Sequence, residues 1–286
     1  MSNKIDFYKN LQPYLECKDY TVSSEIYQVQ LNKEFEMLVT TPVPKNLGDY
    51  YKSENYISHT DAKDSLFDKV YQSVKNITLK RKLKLINSFN TKTKTILDVG
   101  AGTGDFLKVC KNNSWEVLGT EPNLDARKIA EQKGVLLQED LSKLTAQKFD
   151  VITLWHVLEH VEKLQEYIKS LKGLLKSNGR IILAVPNFKS FDANYYKDIW
   201  AAFDVPRHLW HFSQTSIAKL FETENMIVEK TLPMKFDSYY VSLLSEKYKH
   251  GKMKVASAFY RGFISNKKAS KTGEYSSLIY VIKEGK

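Results

Sequence analysis

The stretch ILDVGAGTGDFL, from Ile96 to Leu107, decides the fold class of this 286-residue chain. An apolar β-type run passes into a turn with three glycines, and a helix-like segment begins at Asp105. Glycine adopts positive φ angles without strain and lets a ligand approach the backbone closely. A glycine turn between a strand and a helix therefore predicts a ligand site.

The predicted elements around this turn favour one architecture. Strand-like apolar runs alternate with helical runs from TILDV at 95–99 to MIVEKTLP at 226–233. This alternation predicts an α/β fold with a parallel, doubly wound sheet and a ligand at the carboxyl ends of the strands. Within it, we expect one helix to run from Lys163 to the Asn-Gly pair that ends at Gly179.

Two segments extend the α/β region. Residues 1–90 form an N-terminal extension, in which β-like runs such as EIYQVQL and FEMLVTT precede helical sequence. Residues 91–286 form the main domain, with a helical insertion at about 237–272 before the last strand, YSSLIYVIKE. In that insertion we expect a helix to about Ile264 and a basic link after it. Both segments carry aromatic residues, which usually pack within a fold but here also suit lids over a site that excludes water. They are Tyr50, Tyr51, Tyr56 and His59 in the extension, and Tyr239, Tyr240 and Tyr248 in the insertion.

The charge balance indicates what partners the chain suits. Its 43 Lys and Arg residues exceed its 33 Asp and Glu residues, so the formal net charge is +10. A basic balance suits nucleic acid, yet the cations are spread along the chain and only Lys247 to Lys271 forms a dense patch. We interpret this patch as a solvated face, with a nucleic-acid partner as the second choice.

Cysteine and hydropathy patterns exclude other classes. Cys17 and Cys110 lie far apart, so cysteine alone provides neither a disulfide framework nor a zinc site. No apolar run approaches the ~20 residues that a membrane span needs. The start, MSNKIDFYKN, lacks the pattern of a signal peptide. We therefore expect a cytoplasmic protein without a membrane span.

The residues beside the glycine turn discriminate between ligands. A dinucleotide fingerprint has the order G-x-G-x-x-G, whereas Gly100, Gly102 and Gly104 place the third glycine one position early. Asp105 at the helix start would repel a diphosphate, and no Gly-Lys-Ser/Thr follows for a P-loop. An NAD-dependent oxidoreductase is thus a less favoured reading.

S-adenosylmethionine suits the same residues better, because its sulfonium and amino groups are positive. Asp98 and Asp105 can offset these cations, while N–H groups of the glycine turn receive the carboxylate. Glu121 ends the second strand, where an acid can accept from both ribose hydroxyls. Asp140 ends the third strand, where it can accept from the adenine amino group.

Five ordered segments resemble the class I S-adenosylmethionine-dependent methyltransferases over about Thr95 to Pro233. They are ILDVGAGTGDFL, GTEPN, QEDL, FDVITLWHVLEHV and LLKSNGRIILAVPN. The VLEHV segment is similar to that of small-molecule enzymes, including the ubiquinone-biosynthesis type. The resemblance implies a Rossmann-like sheet of seven strands with an antiparallel last strand. It also implies methyl transfer to a small-molecule acceptor, at oxygen or carbon by preference. The cofactor-binding residues would be Asp98, Gly100, Gly102, Gly104, Glu121, Asp140, Leu141 and Trp155.

Two segments supply candidates for the acceptor side, WHVLEHV and DVPRHLWHFS, which hold four of the six histidines. An acceptor hydroxyl or acidic carbon needs a base, and histidine is suited to that task near neutral pH. We take His208 as the first catalytic candidate and His156 as the second. The acceptor pocket would be lined by Arg207, Trp210, Tyr239 and Tyr240.

Each of these segments has a structural alternative. HLWHF can dock its loop, with Ser213 as the N-cap of the next helix. Glu159 and His160 can join a metal site, as proposed for some ubiquinone-type relatives, or can be a recurrent element of the fold. We favour the fold element and expect no metal. Two other functions stay open: an RNA or protein methyltransferase, and a non-catalytic cofactor-binding subunit.

Overall fold

The computed structural model of the chain describes residues 5–51, 66–144 and 147–285, with side chains of the first α-helix from residue 72 onward. The strands are β1 (Gln12–Lys18), β2 (Ile26–Asn32), β3 (Met37–Thr41), β4 (Thr95–Val99), β5 (Glu116–Thr120), β6 (Leu137–Gln138), β7 (Phe149–Trp155), β8 (Leu175–Pro186), β9 (Trp210–His211), β10 (Met226–Pro233) and β11 (Ser277–Glu284). The helices are α1 (Leu66–Asn87), α2 (Asp105–Lys111), α3 (Leu124–Gln132), α4 (Leu164–Gly173), α5 (Phe191–Tyr196), α6 (Gln214–Glu222), α7 (Asp237–His250) and α8 (Val255–Thr272).

The larger sheet has seven strands in the order β10-β11-β8-β7-β4-β5-β6. It is a mixed, Rossmann-like sheet with an antiparallel last strand, as the resemblance implies. Parallel pairing places Ile96 of β4 opposite Val117 of β5 and Val151 of β7. Val99 lies opposite Thr120, so the carboxyl ends of β4 and β5 are neighbours. The loops that follow these two strands therefore begin side by side.

A second sheet has four strands in the order β1-β2-β3-β9, all antiparallel. β2 and β3 were predicted from the sequence, whereas β1 and β9 were not. β1 is mostly exposed and contains Pro13, so its pattern is a weak strand signal. β9 has only two residues, and Trp210 pairs with Val39 of β3.

The described residues pack into two compact units. We call the first the histidine unit, with described residues within 5–51, 156–168 and 183–282, and the second the glycine-loop unit, with described residues within 66–155, 169–182 and 283–285. The N-terminal extension expected at 1–90 has described residues in both units, and its boundary stays a prediction. Residues 5–51 belong to the histidine unit because β3 pairs with β9, while α1 belongs to the glycine-loop unit.

Two helix boundaries differ from those predicted. α4 ends at Gly173 instead of continuing to Gly179, because the carbonyl of Leu174 accepts from the N–H of Phe149 and β8 begins at once. α8 continues to Thr272, so the basic link expected after Ile264 is helical. Gly273, with φ of 81°, ends that helix. In the described ranges, no helix is long and apolar enough to cross a membrane.

Candidate functional site

The glycine turn after β4 has a backbone that only glycine adopts easily. Gly100, Gly102 and Gly104 have φ angles of 67°, 55° and 75°. A Cβ on Gly104 would lie 2.9 Å from the Cβ of Ala130, closer than a real contact allows. The N–H of Ala101 donates to the carbonyl of Thr120, which fixes the turn against the end of β5. The three glycines are therefore explained by backbone shape and close packing.

Glu121 lies immediately after β5 and bonds to the glycine turn. The N–H of Gly102 donates to Oε2 of Glu121 at 2.9 Å, and the N–H of Asn123 donates to Oε1 at 3.0 Å. The glycine turn and the acid predicted to bind ribose are thus in direct contact. Its ribose role stays a prediction.

Asp98 is buried at the end of β4. Oγ1 of Thr153 on β7 donates to its carboxylate at 2.5 Å. Burial raises the pKa of Asp98 to about 6, and the negative charge of Glu121 acts in the same direction, while Thr153 and the ammonium of Lys82 lower it. Asp98 therefore joins β4 to β7, and its predicted interaction with a cationic ligand group remains untested.

Asp105, at the start of α2, forms ion pairs with lysines of the protein itself. Its carboxylate lies 2.7 Å from Nζ of Lys75 and 2.8 Å from Nζ of Lys133. Burial alone would raise the pKa of Asp105, but the hydrogen bonds from these two lysines outweigh it and lower the pKa. The two lysines therefore already offset the negative charge of Asp105, and its expected role toward a cationic ligand stays a prediction.

Trp155 ends β7 and offers two features that suit a ligand. Nζ of Lys82 lies 3.9 Å from the centre of its ring, so this face already binds a cation. The ring also packs edge-on against Phe106, with centroids 5.7 Å apart. Its buried Nε1 has no acceptor among the described residues. A buried N–H donor without a partner is rare in proteins and indicates a place for an acceptor atom.

Asp140 and Leu141 follow β6, which has only two residues instead of the predicted VLLQED run. Asp140 is exposed, and its Oδ1 accepts from the N–H of Ser142 at 2.7 Å. This bond opens a 3₁₀ turn at Leu141–Leu144, and hydrogen bonds from Ser142 lower the pKa of Asp140. Leu141 is half-buried. Their predicted adenine contacts remain a prediction.

In the histidine unit, His156 lies between two carboxylates. Its Nδ1 is 3.2 Å from Oε1 of Glu159, and its Nε2 is 3.1 Å from Oδ2 of Asp237. Burial opposes the charged ring, but both carboxylates outweigh burial and raise the pKa of His156 to about 10. The pKa of Glu159 falls to about 2, because the effect of His156 exceeds the opposing effect of burial. His156 is thus held as an imidazolium, which does not accept a proton near neutral pH.

His208 has the opposite arrangement. It is buried, and its Nδ1 lies 2.9 Å from the carbonyl oxygen of Ala202. Because a carbonyl only accepts, this bond requires a proton on Nδ1, so the neutral form of the ring has its lone pair on Nε2. Oδ2 of Asp204 lies 3.7 Å from that nitrogen, and the ring meets His160 edge-on at 4.6 Å. This is the tautomer that a general base at Nε2 needs.

Arg207 and Trp210 both bond to groups of the protein itself. Nε of Arg207 donates to Oδ2 of Asp204 at 3.0 Å, and its Nη2 also pairs with Asp204. Trp210 is 1% exposed, packs edge-on against Phe7, and donates from Nε1 to the carbonyl of Val161. These partners favour the docking alternative for the two residues, and their place in an acceptor pocket stays a prediction. Ser213 caps α6, as predicted.

The tyrosines of the two predicted lids have different surroundings. Tyr239 packs against Phe259 of α8, so it contributes to helix packing, whereas Tyr240 is exposed. The hydroxyl of Tyr51 lies 3.0 Å from Nδ1 of His160, a contact that sequence reasoning missed. Asp204 and Asp237 were missed as well. Of these two residues, only Asp204 could have been found from the sequence, because it stands three positions before the candidate residue Arg207. Tyr56 and His59 lie outside the described residues.

One cluster in the histidine unit has ligand atoms close enough together to hold a metal ion, while the expectation of no metal stays a prediction. Ligand atoms of Glu159, His160 and His208 lie within 4.8 Å of one another. Oε2 of Glu159 is buried without a partner among the described residues. Nδ1 of His160 lies 3.1 Å from the carbonyl of Arg207, which leaves its Nε2 as the ligand atom. Burial and the nearby His208 lower the pKa of His160 to about 4, so its ring is neutral.

Comparison with known proteins adds the family. A family model described as a methyltransferase domain matches residues 73–230, more than half of the chain. The chain belongs to this methyltransferase family. Membership supports an enzyme with S-adenosylmethionine as its cofactor. The matched residues include the glycine turn, Glu121, Trp155 and His208.

Curated relatives match the chain over a shorter range. A ubiquinone biosynthesis O-methyltransferase of Actinobacillus pleuropneumoniae serotype 7 (strain AP76) is 34% identical over 108 residues, covering 33% of this chain and 46% of the relative. One from Coxiella burnetii (strain Dugway 5J108-111) is 33% identical over 121 residues, covering 39% of this chain and 51% of the relative. The chain thus spans about half the length of the curated relatives it matches.

Solved structures extend the likeness of the fold. Magnesium protoporphyrin IX methyltransferase from Synechocystis PCC 6803 with bound SAH has a TM-score of 0.55 and 17% identity, covering 83% of this chain and 97% of that one. The StiE O-MT has a TM-score of 0.52 and 13% identity, covering 78% of each chain. At such low identity these neighbours show that the fold is shared.

Proposed function

We propose that this methyltransferase transfers a methyl group from S-adenosylmethionine to a small-molecule acceptor, at oxygen or at an acidic carbon. One observation carries the proposal: a turn with three positive-φ glycines is bonded to Glu121 at the end of the next strand. This contact supports a ligand site in which the glycine turn and a carboxylate lie side by side. A ligand that ends in a carboxylate and carries a ribose needs both.

The donor residues fit the cofactor chemically. S-adenosylmethionine supplies an electrophilic methyl group on a positively charged sulfur. The face of Trp155 binds a cation in this structure, and its unpartnered Nε1 is available to an acceptor atom. Gly100, Gly102 and Gly104 form the positive-φ turn that the carboxylate of the cofactor would approach, and Glu121 would accept hydrogen bonds from the ribose hydroxyls. Asp140 and Leu141 complete the proposed set at the adenine.

On the acceptor side, we assign proton removal to His208. Its Nδ1 is fixed by the carbonyl of Ala202, so Nε2 is the atom that takes the proton. His156 has a pKa of about 10, because Asp237 and Glu159 outweigh its burial. We therefore assign His156 an electrostatic role, in which its positive charge stabilises an acceptor oxygen as that oxygen loses its proton.

The acceptor class follows from the same cluster and from the relatives. The named relatives methylate oxygen in ubiquinone biosynthesis. A buried base and an imidazolium that both act on Glu159 suit a weakly acidic hydroxyl, which must lose its proton as it attacks the methyl group. We accordingly favour O-methylation of a hydroxylated small molecule over methylation at carbon.

A calorimetric titration tests the donor half of the proposal. S-adenosylmethionine and its demethylated product should bind, whereas NADH should not. Glu121→Ala should weaken binding of both by about tenfold or more, because an acid that bonds two hydroxyls is lost. Glu116→Ala changes an exposed acid at the other end of β5 and is the matched control. Preference for NADH, or unchanged affinity in Glu121→Ala, would contradict the assignment.

A turnover assay tests the acceptor half. The protein is incubated with methyl-labelled S-adenosylmethionine and a panel of phenols, catechols and carbon acids, and label transfer is measured. Transfer to hydroxylated compounds supports the proposal. Tight cofactor binding without transfer to any member would instead favour the non-catalytic subunit, and transfer to RNA or protein would favour the macromolecular alternative.

A further inference from the structure

The segment from Lys247 to Gly273 has a charge pattern unlike the rest of the chain. Its 27 residues contain eight basic residues and no Asp or Glu. The basic residues are Lys247, Lys249, Lys252, Lys254, Arg261, Lys267, Lys268 and Lys271. The formal net charge of the whole chain is +10, so this segment carries most of the excess. The proposed methyl transfer does not use any of these residues.

α8 turns its small residues inward and its large apolar residues outward. Its buried face consists of Ala258, Gly262, Ser265 and Ala269. A Cβ on Gly262 would lie 2.7 Å from Tyr239 of α7, so a small residue is required for the two helices to pack this closely. Packing that uses the small side chains leaves the large apolar side chains of the helix outside the core.

The exposed face of α8 is unusually apolar. Phe259, Tyr260 and Phe263 are 49%, 58% and 54% exposed. Val255 at the start of the helix and Met253 just before it are exposed to a similar degree. Single exposed apolar residues are common on protein surfaces, whereas a cluster of large apolar side chains on one exposed face marks an interaction surface.

Basic residues surround these side chains without internal counter-ions. Lys252 and Lys254 precede the helix, and Lys267 and Lys271 lie in its second half. All four are exposed, and none forms an ion pair with another described residue. Arg261 lies over the ring of Tyr195, so not every cation of the segment points to solvent. We call the five apolar residues and these four lysines the basic aromatic face.

We propose that the basic aromatic face docks the protein on an anionic membrane surface. Helices that lie in the membrane interface combine apolar side chains, which enter the acyl boundary, with Lys or Arg, which bind the lipid phosphates. The face has both components on one helix, and the absence of carboxylates makes its charge complementary to anionic lipid. No spanning helix is needed for such binding.

Anionic lipid fits this surface better than nucleic acid does. Single-stranded nucleic acid binds where aromatic rings stack on bases along a basic groove. Met253 and Val255 have no ring to stack, and the face is one helix side with apolar groups between its lysines. Hydrocarbon, by contrast, accommodates both aliphatic and aromatic side chains.

Vesicle binding by the full-length protein tests the proposal. Affinity is measured with vesicles of phosphatidylcholine alone and with vesicles that also contain phosphatidylglycerol. We expect binding only to the second kind. The double variant Tyr260→Ser/Phe263→Ser and the quadruple variant Lys252→Glu/Lys254→Glu/Lys267→Glu/Lys271→Glu should each bind about tenfold or more weakly, since each basic residue near the surface contributes measurably.

Controls separate the face from general charge and hydrophobicity. Ile227→Ser removes an exposed apolar residue from β10, and Lys108→Glu/Lys230→Glu reverses two exposed lysines elsewhere. Both should bind vesicles as the unchanged protein does, and circular dichroism and cofactor titration should show every variant folded. Equal binding by the face variants and controls would overturn the proposal. So would absence of vesicle binding together with salt-dependent binding to a single-stranded RNA oligomer.

Discussion

The glycine-loop unit and the histidine unit present their candidate residues in different ways. In the glycine-loop unit, the predicted residues act through backbone shape: three glycines have positive φ, and one N–H contacts Glu121. In the histidine unit, the predicted residues act through side chains that pair with one another. Arg207 is bonded to Asp204, and His156 lies between Glu159 and Asp237.

This difference separates two kinds of information in a sequence. A glycine turn is specified by consecutive residues, so its conformation follows from local order. The protonation of a histidine depends on partners that folding brings from elsewhere, such as Asp237, which lies 81 positions from His156. Chemistry carried by the backbone is therefore easier to read from sequence than chemistry carried by a titratable side chain.

The largest expected effect comes from His208. His208→Gln should lower kcat by about 100-fold or more, because a general base contributes on the order of 10²–10⁴. Calorimetric affinity for S-adenosylmethionine should not change, since no cofactor contact is assigned to this residue. His250→Gln, on α7 outside the cluster, is the control. If His208→Gln keeps its activity, the acceptor loses its proton to another group.

The next effect concerns the glycine turn. Gly104 and Gly134 have φ angles of 75° and 76°, but only a Cβ on Gly104 would contact Ala130, at 2.9 Å. Gly134→Ala should cost about 1 kcal/mol of unfolding free energy for backbone strain alone. Gly104→Ala should cost about 1–3 kcal/mol more because of overpacking. Urea unfolding measures both, and an equal loss would show that the turn relaxes.

The fold was predictable where local pattern and tertiary packing agree. TILDV and MIVEKTLP became β4 and β10 with the predicted bounds, since each contains apolar residues of strand type and lies next to turn residues. The predicted end of α4 was wrong because the carbonyl of Leu174 accepts a hydrogen bond from the N–H of Phe149. A contact between residues so far apart in sequence is not visible in a local pattern. β9 was missed because two residues carry no periodicity and depend on β3 for pairing.

The candidate site shows the same division. Gly100, Gly102 and Gly104 could be placed from their spacing alone. Trp210 was expected to line an acceptor pocket, and the sequence did not show that Phe7, from the distant N-terminal segment, packs against its ring. The cation over Trp155 comes from Lys82 on α1, a helix whose sequence contains no ligand motif. Long-range partners of this kind are what sequence reasoning could not supply.

A smaller effect is expected in the pH dependence of stability. The folded-state pKa of His156 is about 10, above its usual 6.5, because two carboxylates outweigh burial. The charged ring therefore stabilises the fold fully below pH 6.5, and this contribution is lost as the pH rises through about 10. Because the ring is partly exposed, we expect the loss to be about 1–2 kcal/mol.

Chemical unfolding at several pH values tests this contribution. His156→Gln should be less stable than the unchanged protein at neutral pH, and the difference should shrink toward pH 10. Burial and His208 lower the pKa of His160 to about 4 and of His211 to about 3, so acid should destabilise both proteins alike below pH 6.5. A difference that stays constant with pH would assign His156 a packing role instead.

The smallest expected effect concerns how the affinity of the glycine-loop unit depends on the charge of its ligand. The ammonium of Lys82 lies over Trp155, where the sulfonium of S-adenosylmethionine is proposed to bind. Lys82→Met removes this competing cation. S-adenosylmethionine should then bind about two- to fivefold more tightly, the size of one cation–π contact. The demethylated product has a neutral sulfur and should bind with little change, so the ratio of the two affinities is the measured quantity.

Lys80→Met is the control for this ratio, because Lys80 is exposed on the same helix and has no contact with Trp155. Weaker binding of both ligands in Lys82→Met would mean that the ammonium holds a group common to them, such as the carboxylate. Lys82 would then be a binding residue outside any sequence motif, unlike the glycines, whose spacing alone predicted a ligand site. A change confined to S-adenosylmethionine would instead show that Trp155 distinguishes the ligands by the charge on sulfur.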